Sequence, residues 1–514
     1  MHVKKLLFPA LLVGALLALI YRLFNRPFAK PADAKPDSAK PVSNSVSYDA
    51  IDAYIQEKMH RLNIPGVSLA IVEGDQILHV RGFGQARPGG ETPTPQTPFF
   101  IGSLTKSFTA LAIMQLVEAG KFELDAPVQR YLPWFRVADP GASAQMTVRH
   151  LLNQTSGLPM LHSEITLADF DNRPDATERL VRALSTLKLT RPVGAKFEYS
   201  NTNFNVLGLI VEAASGESYS TYVQQHIFDP LEMRHSYTTK VAAQQDNLAM
   251  GYRYWFGHPL PAPDLSIPSG SLPSGQLICS AEDMAHYLIA HLNGGRYGDV
   301  QILSATGIDE MHRGVVECTM FGISAGKYGM GWFDIDLGQT KTYSHGGNVP
   351  DFSAFMALVP EQKRGVVLLA NADPYGLPPI LEEVGSGVTA LLAGQQPAPI
   401  RLDFIQWIMR LLPLIPLIQV VGVAATLGWL RRWQANPALR PSSGRLWRQH
   451  ILLPLIPNLS LAAILVYLRS NGLLRYLSLF NPDLAWTARI SGSFAGVWAF
   501  LRTGMILRAL RKAA

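Results

Sequence analysis

The sequence predicts a mixed α/β domain of the α+β kind. An antiparallel sheet is flanked by helices and carries a helical insertion, and an all-α transmembrane tail follows. Three observations lead there. Hairpin-like apolar runs stand at both ends of the stretch 48–393. The sequence between them reads mostly as helix and loop. Past a Gly-Gln-Gln-Pro-Ala-Pro stretch at 394–399, the chain turns into long uncharged runs.

Lys4 and Lys5 precede an apolar run, 6–20. That pattern marks residues 1–26 as a signal peptide or a signal anchor. Tyr21 and Arg22 follow where a small-x-small cleavage site would stand, which favours the anchor. Residues 27–46 are rich in Pro, Ala, Lys and Ser and read as a flexible linker. A globular domain is expected over 47–393. Ile51, Ile55, Met59 and Leu62 recur at helical spacing, and Pro65-Gly66 stops that helix. Runs 67–72 and 77–83 flank Glu73-Gly74-Asp75 as a hairpin, and runs 352–359 and 365–372 form a second around 361–364. A helix over 380–393 closes the domain.

The tail, 394–514, carries two charge-free runs, 411–430 and 451–468, each long enough for a ~30 Å hydrocarbon core. A third run, 490–507, is interrupted by Arg502. Only 16% of the chain is charged, against about 25% in ordinary soluble proteins. The net charge of +6 is uneven. From Arg401 onward the tail carries +12, which leaves −6 for residues 1–400. Positive charge between apolar runs fits lipid headgroups rather than nucleic acid, so the expected surface partner is a bilayer. Arg431, Arg432, Arg440, Arg445 and Arg448 between the first two runs place that loop in the cytoplasm. The 47–393 domain then lies outside the cytoplasmic membrane, on the periplasmic side, and Lys4-Lys5 predict the same side. Cys279 and Cys318 have no metal-ligand spacing and are too few for a disulfide framework; they read as two buried thiols or a single bridge. The oligomeric state is not legible.

Three motifs carry the chemistry. Ser103-Leu104-Thr105-Lys106 sets a lysine one helical turn from a serine, on the same face. A buried lysine loses charge and can take the serine proton. The Ser-x-x-Lys pattern occurs twice more, at Ser185–Lys188 and Ser324–Lys327. Only Ser103 opens a nearly all-apolar run, 108–117, so the dipole of a buried helix stands behind it. Tyr199-Ser200-Asn201 precedes an apolar helix, 204–214, and offers a hydroxyl for proton transfer and an amide for the substrate. His345-Gly346-Gly347 ends a β-like run, 341–344, where glycines permit close approach to a strand edge.

The order and spacing of these motifs resemble the class C β-lactamase and penicillin-binding protein family of serine hydrolases. So do Ile64-Pro65-Gly66-Val67, the 151–158 segment LLNQTSGL, Ser280-Ala281-Glu282-Asp283 and Tyr328-Gly329-Met330-Gly331-Trp332. The resemblance covers 48–393. It implies a β-lactamase/transpeptidase-like fold, with Ser103 as nucleophile and Lys106 and Tyr199 sharing its proton. It implies an oxyanion hole from the N–H groups of Ser103 and Asn348. Asn201, His345, Gly346 and Gly347 would line the substrate site, and no metal or cofactor is needed. Many relatives carry Lys-Thr-Gly where this chain has His345-Gly346-Gly347, which removes a permanent cation for a substrate carboxylate. An outside hydrolase domain with three C-terminal helices resembles prodrug-activating peptidases of nonribosomal peptide pathways, such as the colibactin-maturation peptidase. That likeness implies a small-molecule or peptide substrate bearing a D-residue, with Asn348 and Ser200 as contacts to it. Esterase and β-lactamase activity remain the alternatives, ahead of a non-catalytic sensor.

Overall fold

The computed structural model describes residues 47–264, 268–320, 323–338, 340–373, 380–399 and 408–511. The signal or anchor segment and the linker expected before Ser47 lie outside them. Residues 47–399 belong to one compact unit, and the helices from residue 408 onward belong to a second.

The N-terminal helix α1, Tyr48–Leu62, is capped by the Ser47 hydroxyl and buries Ile51, Ile55, Met59 and Leu62. Strands β1, Gly66–Glu73, and β2, Gln76–Gly84, pair antiparallel. The long middle of the chain then supplies the helices α2, Thr105–Glu118, α3, Asn201–Ser215, and α4, Ala281–Leu292. Strands return as β3, Val316–Met320, β4, Ile323–Tyr328, β5, Phe333–Leu337, β6, Thr340–Val349, β7, Phe352–Val359, and β8, Arg364–Ala370. Helix α5, Ile380–Leu392, closes the unit. One eight-stranded antiparallel sheet results, in the order β2-β1-β8-β7-β6-β5-β4-β3. The two hairpins read at the ends of the domain thus become neighbours toward one edge of the sheet, through β1 and β8. The core runs from Ala70 and Val72 of the sheet through Phe108, Leu111 and Ile113 of α2 to Phe204 and Leu207 of α3.

Two details differ from expectation. Strand β6 does not stop at Ser344 but runs on through His345, Gly346 and Gly347 to Val349. Its pairing with β7 is unbroken, so the glycines are held extended by one neighbour. Strands β3 to β5 fall in the stretch expected to be helix and loop, although Val316–Met320 and Phe333–Leu337 alternate apolar and polar residues as strands do. Cys279 and Cys318 are free, buried thiols.

In the tail, three helical stretches, Ile408–Ala435, Ser443–Ser470 and Pro482–Leu510, are long and apolar enough to cross a membrane. Helix α6 is Leu414–Ala435, α7 is Leu453–Ser470 and α8 is Pro482–Arg511. Arg502 does not interrupt α8. It is 7% exposed, donates to Thr426 Oγ1 of α6 at 3.2 Å and to the His450 carbonyl, and lies over the Trp429 ring. Partners inside the helix group let an apolar span carry a charge.

Candidate active site

The loop that bears Ser103 is fixed by close backbone approach. Gly102 has φ +53°, and a Cβ there would fall 2.5 Å from the Asn348 nitrogen. Gly347 answers it from the strand: its Cβ would fall 2.1 Å from the Ile101 oxygen and 3.0 Å from the Ser103 nitrogen. Two glycines facing each other therefore let β6 lie directly against the turn that holds Ser103. The N–H groups of Ser103 and Asn348 stand at that junction, where the resemblance puts the oxyanion hole.

Ser103 sits in a 3₁₀ turn, Gly102–Leu104, that runs straight into α2. It is half-buried, between buried neighbours. Lys106, on the first turn of α2, is fully buried. Its Nζ lies 2.8 Å from Ser103 Oγ, 2.7 Å from Asn201 Oδ1 and 2.6 Å from the Ser274 carbonyl. Burial pulls this amine down to about 7, against a smaller opposing pull from Glu164. A neutral amine has two N–H donors and one lone pair. With the donors on Asn201 and Ser274, the lone pair faces the Ser103 hydroxyl, as a proton acceptor must. Tyr199 donates its hydroxyl to Ser103 Oγ at 2.8 Å, and burial pushes its phenol far up, so it stays protonated.

The four residues come from different elements, and other groups orient them. Gln154 has φ +57° and is fully buried. Its side-chain oxygen accepts from the Ser200 N–H at 2.9 Å, and its carbonyl from the Glu198 N–H at 2.8 Å. That clamp holds the segment bearing Tyr199 and Asn201. Asn201 Nδ2 donates to Glu164 at 3.2 Å, which turns its oxygen toward Lys106. Glu164 and Ser274 escaped the sequence reading, and Gln154 entered it only as part of the 151–158 segment. A backbone carbonyl or a distant carboxylate leaves no local signature.

Two expected site residues are deeply buried. Ser200 is fully buried, with its hydroxyl 3.5 Å from the Pro159 carbonyl. His345 is 2% exposed. Its Nε2 lies 3.3 Å from the Tyr328 hydroxyl and its ring 6.3 Å from that of Tyr199. Burial and the nearby Lys106 hold it down to about 3, hence neutral. It backs Tyr199 rather than lining an open pocket. Asn348 is half-buried, and its Nδ2 donates to Asp373 at 2.9 Å. Of the other two Ser-x-x-Lys copies, Ser185 and Lys188 are both exposed, and Lys327 lies exposed on β4. Among the described residues no His, Cys, Asp and Glu group has metal-binding geometry.

The fold is that of a penicillin-binding-protein-like domain, and the chain belongs to the Beta-lactamase family, which it matches over residues 51–381. Among its relatives, Protein flp of Staphylococcus aureus (strain MW2) is 30% identical over 348 residues. The match covers 66% of this chain and 66% of that protein, so this chain spans just under two thirds of flp. Penicillin-binding protein 4 of Amycolatopsis lactamdurans is 31% identical over 330 residues, 62% of this chain and 85% of that one. Among solved structures, the octameric penicillin-binding protein homologue from Pyrococcus abyssi superposes with a TM-score of 0.60 at 31% identity, over 68% of this chain and 78% of the other.

Proposed function

We propose that this protein is a membrane-anchored hydrolase whose domain acts outside the cytoplasmic membrane through an acyl-enzyme on Ser103. The observation that carries this reading is the buried Lys106 amine 2.8 Å from Ser103 Oγ, with its two donors already committed. Lys106 takes the serine proton as Ser103 attacks the carbonyl. The Ser103 and Asn348 N–H groups hold the oxyanion, and each such donor contributes about 3 kcal/mol. Tyr199, kept protonated, passes a proton to the leaving group and recovers it from Lys106. Water then releases the acyl group by the reverse path.

The preferred substrate is an amide or peptide bearing a D-residue, of the prodrug-cleaving or carboxypeptidase kind. Esterase or β-lactamase activity is the second reading. A neutral His345 where relatives carry a lysine weakens binding of a β-lactam carboxylate. The arginine-rich loop between α6 and α7 supports an outside catalytic domain.

A fluorophosphonate probe should label the wild type and not Ser103→Ala. Lys106→Ala should lose about 10³-fold or more in kcat/KM with the fold retained by circular dichroism. An unlabelled wild type would sink the enzymatic reading. Turnover of an acyl-D-Asn amide, a D-Ala-D-Ala peptide, nitrocefin and a short-chain ester, compared side by side, ranks the activities. Inert D-amides beside a rapidly cleaved ester would reverse the preference.

A further inference from the structure

The face of β6 turned away from Ser103 carries a second polar site. Glu382, in the first turn of α5, lies flat over Gly346: a Cβ on that glycine would fall 1.8 Å from Glu382 Oε1. The acid occupies the room that any side chain at 346 would need, and it stays half-buried rather than sealed. Asp373, three residues past β8, is 6% exposed. Its Oδ1 accepts from Asn348 Nδ2 at 2.9 Å, and its Oδ2 is buried without a hydrogen-bond partner.

A buried carboxylate oxygen without a donor is costly, and its natural complement is a charged donor. Among the described residues none supplies one. Arg253 is committed to Asp351 at 2.6 and 2.8 Å. No Lys, Arg or His occurs in sequence between Asp373 and Glu382. Among the described residues, neither acid is in an ion pair. Lys106 is on the other side of the strand, bonded to Ser103, Asn201 and Ser274. Both acids are raised to about 7 by burial, Glu382 also by Asp373 and Asp373 also by Asp351. An arriving cation would relieve that cost. There is also an approach. Pairing of β5 with β6 ends at Phe333 and Ser344, so among the described residues the edge of Gly346, Gly347 and Asn348 on that side has no partner strand.

We propose that Glu382 and the free oxygen of Asp373 form a subsite for a primary ammonium group on the substrate, beside the strand edge where the scissile carbonyl meets Ser103. The proposal rests on the acyl-enzyme reading above and narrows its substrate class. Tails bearing an amine are favoured, neutral tails tolerated, and carboxylate tails repelled by two acids that have no cation to mask them.

The test uses the full chain in detergent with Ser103→Ala, so that bound ligand is not consumed. Three amides of N-acetyl-D-asparagine share one acyl part and differ only in the amine: 1,2-diaminoethane, propylamine or β-alanine. Calorimetry should give a Kd about tenfold lower for the aminoethyl amide than for the propyl amide, with the carboxyethyl amide weakest. Adding Glu382→Gln should bring the three within about twofold. Asp373→Asn serves as a second variant should the first fail to fold. Equal affinities, tightest binding of the carboxyethyl amide, a preference that survives both substitutions, or no binding of any of the three would overturn the subsite. Probe labelling of wild-type Ser103 is read separately, so an active enzyme with equal affinities loses only the ammonium subsite.

Discussion

Strand β6 has two faces, and they carry opposite chemistry. His345 and Gly347 look toward Ser103, where a buried amine has been pulled down to about 7. Gly346 and Asn348 look toward α5, where the carboxyls of the half-buried Glu382 and the buried Asp373 have been pushed up to about 7. One cause acts on both faces: burial penalises the charged form, which lowers an amine and raises an acid. Alternation along a single strand keeps the two sets apart at consecutive residues. A base that must be neutral and acids that would welcome a cation can thus share one wall.

The largest effect separating the faces should come from the glycines. Gly347→Ala drives a Cβ into the Ile101 carbonyl and the Ser103 N–H, both backbone. It should cost on the order of 10²-fold in kcat/KM and about 1–3 kcal/mol of stability. Gly346→Ala first meets the Glu382 side chain, which can swing away. It should cost less than about tenfold, and mainly in KM. Equal losses in the two variants would break the comparison.

Next come the pH limbs. Lys106 is at about 7 folded against 10.5 unfolded, so the unfolded chain binds the extra proton between those values. Its share of stability therefore rises with pH from about 7 to 10.5. Glu382 and Asp373 are at about 7 folded against 4.5 and 3.8, so the folded chain holds the extra protons. Their share is present below about pH 4 and lost as pH rises to 7. The buried His345, His312 and His291, held below the ordinary imidazole value, oppose the acids between about pH 3 and 6.5, so each limb is read as the difference in melting temperature between wild type and variant. Lys106→Met should flatten the alkaline limb, and Glu382→Gln with Asp373→Asn the acid limb. Differences that do not vary with pH would refute the assignment.

The smallest effect belongs to His345. It is already neutral down to about pH 3, so it should contribute no step between pH 5 and 8. The rise of kcat/KM through about pH 7 is assigned to Lys106 and should survive in His345→Gln at its original midpoint. Loss of that rise would transfer the base to the histidine.

Much of this was legible in the sequence. Helical spacing gave α1, and turn residues between apolar runs gave the β1–β2 and β7–β8 hairpins, because these signals are local. The uncharged runs marked two tail helices, and the apolar run behind it singled out Ser103 among three Ser-x-x-Lys copies. Other features exist only once the chain is folded. Strands β3 to β5 take their order from the sheet they join. Ser200 reads as a site residue by position, yet it is fully buried. Arg502 reads as an interruption, yet Thr426, His450 and Trp429 receive it.

By itself the sequence determined that a serine and a lysine share one helical turn, since three residues of helix bring them to one face. Only the tertiary structure decided that this lysine is neutral enough to act. That depends on α3, the Ser274 carbonyl and the sheet closing over it to exclude water. The same packing set Glu382 against Gly346, 36 residues away in the chain. Burial and cross-chain contact are properties of the packed fold, and no spacing along the sequence encodes them.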